Sequence, residues 1–256
     1  METEDQGSQP LSREGAWSRL IGAVISPLAT FEAIARKPSW LLPILLIVLV
    51  NVAVAHRQRP GSALTVPNSA VEQRLKSDPT FQRLTRQQQA QELKEARVVA
   101  KYVVAGAIYF GVIVGTPLAF LIIAAVLLFA FNVFFGAGIK FKQSFAVTSY
   151  ASVPYLLSSV VTLVLVWTHP PGAALTHDLS VLSLAGFLSP HVSPWLRALA
   201  RSVNVFDLWT LGLLAVGYTA ASSKRVRFGS ALAVVVAIWA VYLLATAALF
   251  SRVAHR

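Results

Sequence analysis

Apolar residues in this chain come in long unbroken runs. They show neither the alternation of a half-buried strand nor the single apolar stripe of a soluble helix. Runs of about 20 such residues cross a bilayer as helices, because a helix pairs its own backbone groups where water is absent. Five spans are predicted, at about residues 40–56, 108–136, 145–167, 205–221 and 228–249. The first is short and carries Pro43 near its start, so tilt or local thinning of the bilayer must accommodate it. The run 102–138 is too long for one perpendicular span, and its one break is Gly115-Thr116-Pro117. It predicts one long helix kinked at Pro117, since proline lacks an N–H and crowds the preceding turn. Two short spans joined by a turn are the alternative.

The stretches between the runs have their own patterns. Residues 1–14 are polar and aperiodic, and predict a disordered tail. In 15–38, Trp17, Leu20, Ile21, Val24 and Ile25 recur at helical spacing, and Leu28, Phe31, Ile34 and Ala35 continue after Ser26-Pro27. Two short amphipathic helices in the headgroup layer are predicted, with Trp17 as an anchor; packing against protein is the alternative. Asp78 before Pro79 is a helix start, the carboxylate accepting from free amides and the proline fitting the first helical position. Nothing from there to Lys101 compels a break, so residues 70–101 read as a polar helical insertion, solvated or lying on the membrane. The segment up to Arg201 is punctuated by Pro170, Pro171, Pro190 and Pro194, and its apolar stretch 181–188 is too short to cross. Residues 251–256 form a basic tail. The fold class is therefore all-α: a polytopic membrane bundle of about five transmembrane helices with flanking amphipathic interfacial helices.

Composition agrees, with 55% hydrophobic residues and only 13% charged, where soluble domains carry about 25%. The net charge of +11 is spread over loops and span ends rather than gathered with aromatics, which argues against nucleic acid and points to anionic lipid headgroups. Charge does not fix the orientation: with the N-terminus inside, seven basic residues flank the inner side and eight the outer, and the dense turn Lys224, Arg225, Arg227 leans towards N-inside. Glu2, Glu4, Asp5, Arg13, Glu14 and Arg19 ahead of the first run do not read as a cleavable signal. The absence of cysteine removes thiolate chemistry.

Catalytic motifs are missing: there is no P-loop, nucleophile elbow, His-Glu-x-x-His or dinucleotide fingerprint. After Lys101 the carboxylates are Asp178 and Asp207, few for acid–base chemistry. His169, His177, Asp178 and His191 share a segment, but their spacing fits no familiar zinc pattern. No metal and no cofactor are expected. Asn51, Asn132, Thr148, Ser149, Tyr150, Ser152, Ser158, Ser159 and Thr162 lie inside spans, where hydrogen bonds between helices are their default use; a polar path is the sharper alternative. Ala107, Gly111 and Gly115 lie four apart, a spacing of small residues that lets backbones approach, and packing within the bundle is expected of them. Asn204 followed by Asp207 has capping-box spacing at the start of the fourth span. A carboxylate turned into the bundle to meet a basic residue or a partner is the functional alternative.

Several stretches together resemble the Yip (Ypt-interacting protein) domain family of multi-span membrane proteins. Ser26-Pro27-Leu28 through Phe31, Ile34, Lys37-Pro38 and Trp40 is similar to that family's lead into the first span. Phe134-Phe135-Gly136, then Phe141-Lys142-Gln143-Ser144-Phe145 and Ser149-Tyr150-Ala151-Ser152-Val153-Pro154, resembles its third-span signature. Val205-Phe206-Asp207-Leu208-Trp209 leading to Ala215-Val216-Gly217-Tyr218 resembles its fourth span. The likeness covers residues 17–249 and implies five spans with a cytoplasmic N-terminus. Eukaryotic members associate with Rab-type GTPases, but the Asp-Leu-Tyr-Gly-Pro type motif they carry ahead of the first span is missing, so Rab-type GTPase binding is not carried over. The chain looks more like the bacterial branch, which implies the inner membrane.

The expected role is a non-enzymatic integral membrane scaffold or adaptor that organises the bilayer or another membrane protein. A small transporter or transporter accessory subunit is the alternative. Asp207, Trp209, Tyr150, Pro154, Gly111, Gly115 and Pro117 are the residues picked out as structural or partner contacts.

Overall fold

The computed structural model describes residues 15–58, 68–169, 183–189, 192–223 and 225–254. The expected tail 1–14 and His177, Asp178 and His191 lie outside the described residues. Among those described the protein is all-α, apart from one isolated bridge between Ser183 and Asn204. Helix α1 (Ala16–Ile25) stops at Ser26 because Pro27 brings no N–H to its ladder; the same proline sits at the free first turn of α2 (Pro27–Arg36). Gly22 faces Thr30 so closely that a Cβ would meet the threonine hydroxyl, which fixes α1 on α2. Then α3 (Leu41–Gln58) leaves at 115° to α2.

The two helices of this hairpin turn their apolar faces to different surroundings. Trp17, Ile21 and Ile25 of α1 are exposed, as an interfacial face should be, but Phe31 and Ile34 of α2 are fully buried in the bundle. The sequence stripe is the same in either case, and here a groove in the bundle, rather than lipid, fills the apolar face of α2.

The run 102–138 forms one long helical unit, Arg86–Phe135, of 50 residues and about 75 Å. It continues α6 (Arg86–Phe110) through a π-helical segment, Gly111–Gly115, into α7 (Thr116–Phe135). Pro117 therefore acts through a π segment just ahead of it rather than a simple kink. Proline cannot donate to the carbonyl of residue 113, and the wider turn absorbs the misfit. Gly111 and Gly115 lie in that segment with no atom within 4 Å of where a Cβ would stand, and Ala107 is exposed. Gly115 is half-buried in a segment that runs alongside α3, while Ala107 and Gly111 are exposed, and no neighbouring atom occupies the space left by the missing Cβ atoms.

The polar insertion is broken where a continuous helix was predicted. Helices α4 (Asn68–Lys76) and α5 (Pro79–Gln82) precede α6. Asp78 caps α5 as predicted, accepting from the Thr80 N–H at 2.9 Å. The break at 83–85 has local causes. The Thr85 hydroxyl accepts from the Gln88 N–H at 3.4 Å, and Gln88 Oε1 accepts from the Thr85 N–H at 3.0 Å. Gln89 donates to the carbonyls of Phe81 and Leu84 at 3.1 and 3.2 Å, giving the end of α5 the partners it lacks. Glu72 pairs with Lys76 at 2.8 Å and with Arg97 at 3.6 Å, tying α4 to α6. The Lys76 hydrogen bond and charge hold the Glu72 carboxyl below its ordinary range, so this tie is present at neutral pH and weakens on acidification.

Helices α8 (Phe141–Ala151) and α9 (Val153–Thr168) form one 28-residue unit interrupted at Ser152, because Pro154 has no N–H for the carbonyl of Tyr150. A 3-10 turn (Leu184–Phe187) and α10 (Pro194–Arg201) lead to α11 (Val205–Ala221) and α12 (Phe228–Ala254), the last running into the predicted tail. Among the described residues three units are long and apolar enough to cross a membrane: Arg86–Phe135, Phe141–Thr168 and Phe228–Ala247. A fourth arises if α2 and α3 count as one broken span. At 17 residues, about 25 Å, α11 is apolar but short of a hydrocarbon core about 30 Å thick.

One end of the bundle is laced together. Gln143 donates to the carbonyl of Ala35 at 2.9 Å, Arg225 to that of Gly136 at 3.3 Å, and Asn132 exchanges two 2.9 Å bonds with Ile139 across the turn. That turn needs glycine, since Gly136 and Gly138 have φ of 57° and 68°. From this end α3, α8 and α12 leave, and to it α7 and α11 return.

The main core joins Phe31 and Ile34 of α2, Leu127 and Phe131 of α7, Val147 and Tyr150 of α8, Leu214 and Tyr218 of α11, and Val235 of α12. At its centre a Cβ on Gly217 would collide with Val147 Cγ1 and lie 3.0 Å from Phe31 Cδ1. Gly217→Ala should therefore destabilise the protein by about 1–3 kcal/mol through overpacking. Gly212→Ala, with open space at its Cβ, should not. Thermal unfolding of the purified protein in detergent measures both; equal melting temperatures for the two variants would contradict this packing.

Candidate functional site

Polar side chains inside the bundle gather in three places. In the core, hydroxyls form a directed chain. Ser144 donates to the carbonyl of Ala124 at 2.7 Å, which leaves Tyr218 to donate to Ser144 at 2.5 Å and Thr148 to donate to Tyr218 at 3.4 Å. The Tyr218 ring stacks on Phe131 with centroids 4.5 Å apart. The chain ties α7, α8 and α11 together and ends on a backbone carbonyl. Further along the unit of α8 and α9, Asn51 of α3 accepts from Ser159 of α9 at 3.3 Å.

The second group surrounds Asp207 at the start of α11. Asn204 Oδ1 accepts from the N–H groups of Phe206 and Asp207 at 2.9 and 3.1 Å, and Asp207 Oδ2 accepts from the Asn204 N–H at 3.0 Å. This is the capping box anticipated from spacing, and it puts a carboxylate at the positive end of the helix. The other oxygen, Oδ1, accepts from the Tyr155 hydroxyl of α9 at 2.8 Å. Asp207 is buried, so it is both cap and bridge, and its partner across the helices is a tyrosine rather than a basic residue. One turn on, the buried hydroxyl oxygen of Thr210 has no hydrogen-bond partner.

The third group lies at the elbow between α2 and α3. Arg19 reaches inward from α1 and is only 9% exposed. Its Nη1 donates to the carbonyl of Lys37 at 2.8 Å and to the Ser39 hydroxyl at 3.2 Å; Ser39 lies 3.3 Å from the hydroxyl of the fully buried Tyr150. Its Nε is buried with no partner.

The residues picked out from the sequence are not brought to one place. Tyr150 is in the core and touches the elbow; Pro154 is buried where α8 meets α9; Trp209 is partly buried against the core; Asp207 lies at the far end of α11. Gly111, Gly115 and Pro117 sit on the long helix with open space at the missing Cβ of both glycines. Two contributors were missed. Tyr155 had no signal beyond its place next to Pro154. Arg19 had one, a lone charge among Trp17, Leu20 and Ile21 on an amphipathic helix. At the laced end, Glu32, Ala35, Arg36, Gln143, Ala220, Ala221 and Ser223 line an open cavity of about 480 Å³. Among the described residues no three potential metal ligands converge.

A family model described as the Yip1 domain matches residues 21–249. No curated protein and no solved structure matches the chain.

Removing the Tyr155 hydroxyl (Tyr155→Phe) takes away one interhelical bond and should cost about 0.6–1.7 kcal/mol. Asp207→Ala takes away the cap as well, worth about 1 kcal/mol in its own right, and should cost more than Tyr155→Phe. In the double variant the two losses should fall short of their sum, because they share one bond. Chemical unfolding of the four proteins in detergent gives the cycle, and strict additivity would show that the bond contributes nothing.

Proposed function

The chain belongs to the Yip1-domain family and is an integral multi-pass membrane protein, and on that footing we propose that it is a non-enzymatic scaffold or adaptor. It organises the bilayer or a partner membrane protein through its outer helix faces and its basic end. The observation that carries this reading is how the buried polar groups are used. The Thr148, Tyr218 and Ser144 hydroxyls, the Asn132 amide and the Asp207 carboxylate are all engaged in holding helices and turns together. The face left over is apolar and outward: Phe110, Ile113, Phe129, Val133 and Phe134 along the long helix, and Val241 and Leu244 of α12.

The orientation we propose has the N-terminus in the cytoplasm of a bacterial cell, five spans in the inner membrane, and the basic residues of the laced end towards anionic lipid headgroups. Two bonds support a common side for the three segments that meet there: Gln143 to Ala35, and Arg225 to Gly136. Rab-type GTPase binding forms no part of the proposal, and nucleic acid is not a partner.

Single cysteines introduced into this cysteine-free chain test it without background. A membrane-impermeant maleimide should label positions within 36–38, 138–144 and 222–229 from the cytoplasmic side, and positions within 70–100 from the opposite side. Labelling of 70–100 from the same side as 138–144 would overturn the topology. For the role, crosslinking in intact membranes should trap a defined membrane-protein partner, or deletion should alter lipid composition. Solute flux in proteoliposomes of the purified protein, with neither of those effects, would replace the scaffold by a transporter.

A further inference from the structure

Arg19 is a formal positive charge with no carboxylate paired to it among the described residues. Among the described residues both ion pairs use Glu72, and no described carboxylate reaches the Arg19 guanidinium. Its two bonds, both from Nη1, go to neutral oxygens, and Nε is buried without a partner. One of those oxygens, the carbonyl of Lys37, belongs to the C-terminal end of α2, whose dipole is equivalent to about half a negative charge. The other, Ser39 Oγ, precedes α3, whose first amides are the positive end of a helix and offset that half-charge. About one whole positive charge remains, held away from water, where an unpaired charge is costly. An anion is the missing element.

Depth identifies which anion. Trp17, 61% exposed, lies two residues before Arg19, and Trp40, 38% exposed, follows Ser39 and leans on Phe145 with ring centroids 5.1 Å apart. Tryptophan collects at the headgroup level of a bilayer; Arg19 shares a helix with Trp17 and donates to the residue just before Trp40, which fits the depth of lipid phosphates. Ile21 and Ile25 of α1 and Leu41, Leu45 and Leu49 of α3 are exposed, apolar surface of the kind acyl chains cover. We propose that this elbow is a binding site for the phosphate of an anionic phospholipid, held by the free N–H groups of Arg19, by the Ser39 hydroxyl and by the first amides of α3, with its acyl chains along α3. The guanidinium suits this task because it presents several donors in a fixed plane to phosphate oxygens. Tyr150, hydrogen-bonded to Ser39, positions that hydroxyl from within the core. The site sharpens the proposed attraction to anionic headgroups and rests on that reading: it turns a diffuse attraction into one discrete position.

The test uses the full chain, purified in a phosphate-free detergent and stripped of lipid, with melting temperature and native mass spectrometry as readouts. Short-chain phosphatidylglycerol should bind and raise the melting temperature. Diacylglycerol with the same tails, and inorganic phosphate alone, should do neither. Arg19→Gln should weaken phosphatidylglycerol binding about tenfold, the worth of a charge-assisted hydrogen bond. Ser39→Ala should weaken it less, and Arg36→Gln, at the separate cavity, should leave it unchanged. Equal response to diacylglycerol would mean that the tails alone bind, and response to inorganic phosphate alone would make the ligand a free anion; either overturns the proposal. If Arg19→Gln does not accumulate, Arg19→Lys and Ser39→Ala carry the test, and parental affinity in both overturns it. A preference for phosphatidylglycerol that survives Arg19→Gln but is lost in Lys140→Gln/Arg227→Gln would remove this site and leave the general headgroup reading standing. Loss of that preference with Arg19→Gln alone, in cells whose deletion shows no membrane effect, would do the reverse.

Discussion

Gly217 and Tyr218 set the distance between three helices, and the rest of the bundle is arranged around that distance. Between helices surrounded by lipid, burying apolar surface gains little, because lipid tails are as apolar as the partner; close dispersion contact and hydrogen bonds must hold the assembly instead. Glycine at 217 lets the backbone of α11 reach Val147 of α8 and Phe31 of α2. The next residue turns its hydroxyl into the chain that runs through Ser144 to the carbonyl of Ala124 on α7. With α2 trapped in that crossing, α3 has to start from a sharp elbow, and α1 is left lying across it. The positions of Arg19, Ser39 and Trp40 follow from the crossing rather than from any preference of their own.

The apolar runs were legible because a spanning helix needs only length and composition, and both are local. Local capping was legible too: Asn204 and Asp207 are three residues apart, and the box they were expected to form is present. The bond from Tyr155 to Asp207 joins positions 52 residues apart, and nothing in either neighbourhood announces it. The same limit explains α2 and the small-residue stripe. Phe31 and Ile34 form an apolar face that lipid or protein could cover equally well, while Gly111 and Gly115 mark a face without naming its neighbour. Pro117 was the right cause of an irregularity, but the chain answered with a π segment instead of a kink. The break at Thr85 was readable too, since Thr85 with Gln88 three residues on is a capping signature.

The two ends of the bundle differ in kind. At one, short turns are fixed by Asn132, Gln143 and Arg225 bonding to carbonyls of neighbouring segments, and Gly136 and Gly138 take backbone shapes that other residues resist. At the other, the long helix carries its polar turns beyond the apolar ones, held to α4 through one glutamate that ties Arg97. A surface ion pair of that sort contributes at most about 1 kcal/mol and is screened by salt, so the Gln89 bonds to the Phe81 and Leu84 carbonyls and the buried Phe81 matter more to the polar arm.

Polar residues inside a membrane are by default suspects for transport or catalysis, so their direction and their termini matter more than their number. The hydroxyl chain of Thr148, Tyr218 and Ser144 donates one way and stops at the Ala124 carbonyl, where no further proton can be passed along a side chain. Asp207 carries the charge that a coupled transporter would need. Both of its oxygens are occupied, one by the Asn204 N–H of its own helix start and one by Tyr155, so moving a proton or an ion through it would undo the cap and a helix contact together. A group used cyclically is usually one whose release costs little; this one is built into the start of α11. For the proposed scaffold this favours the outer surface: the exposed aromatics of the long helix and the exposed apolar residues around the elbow that holds the buried Arg19.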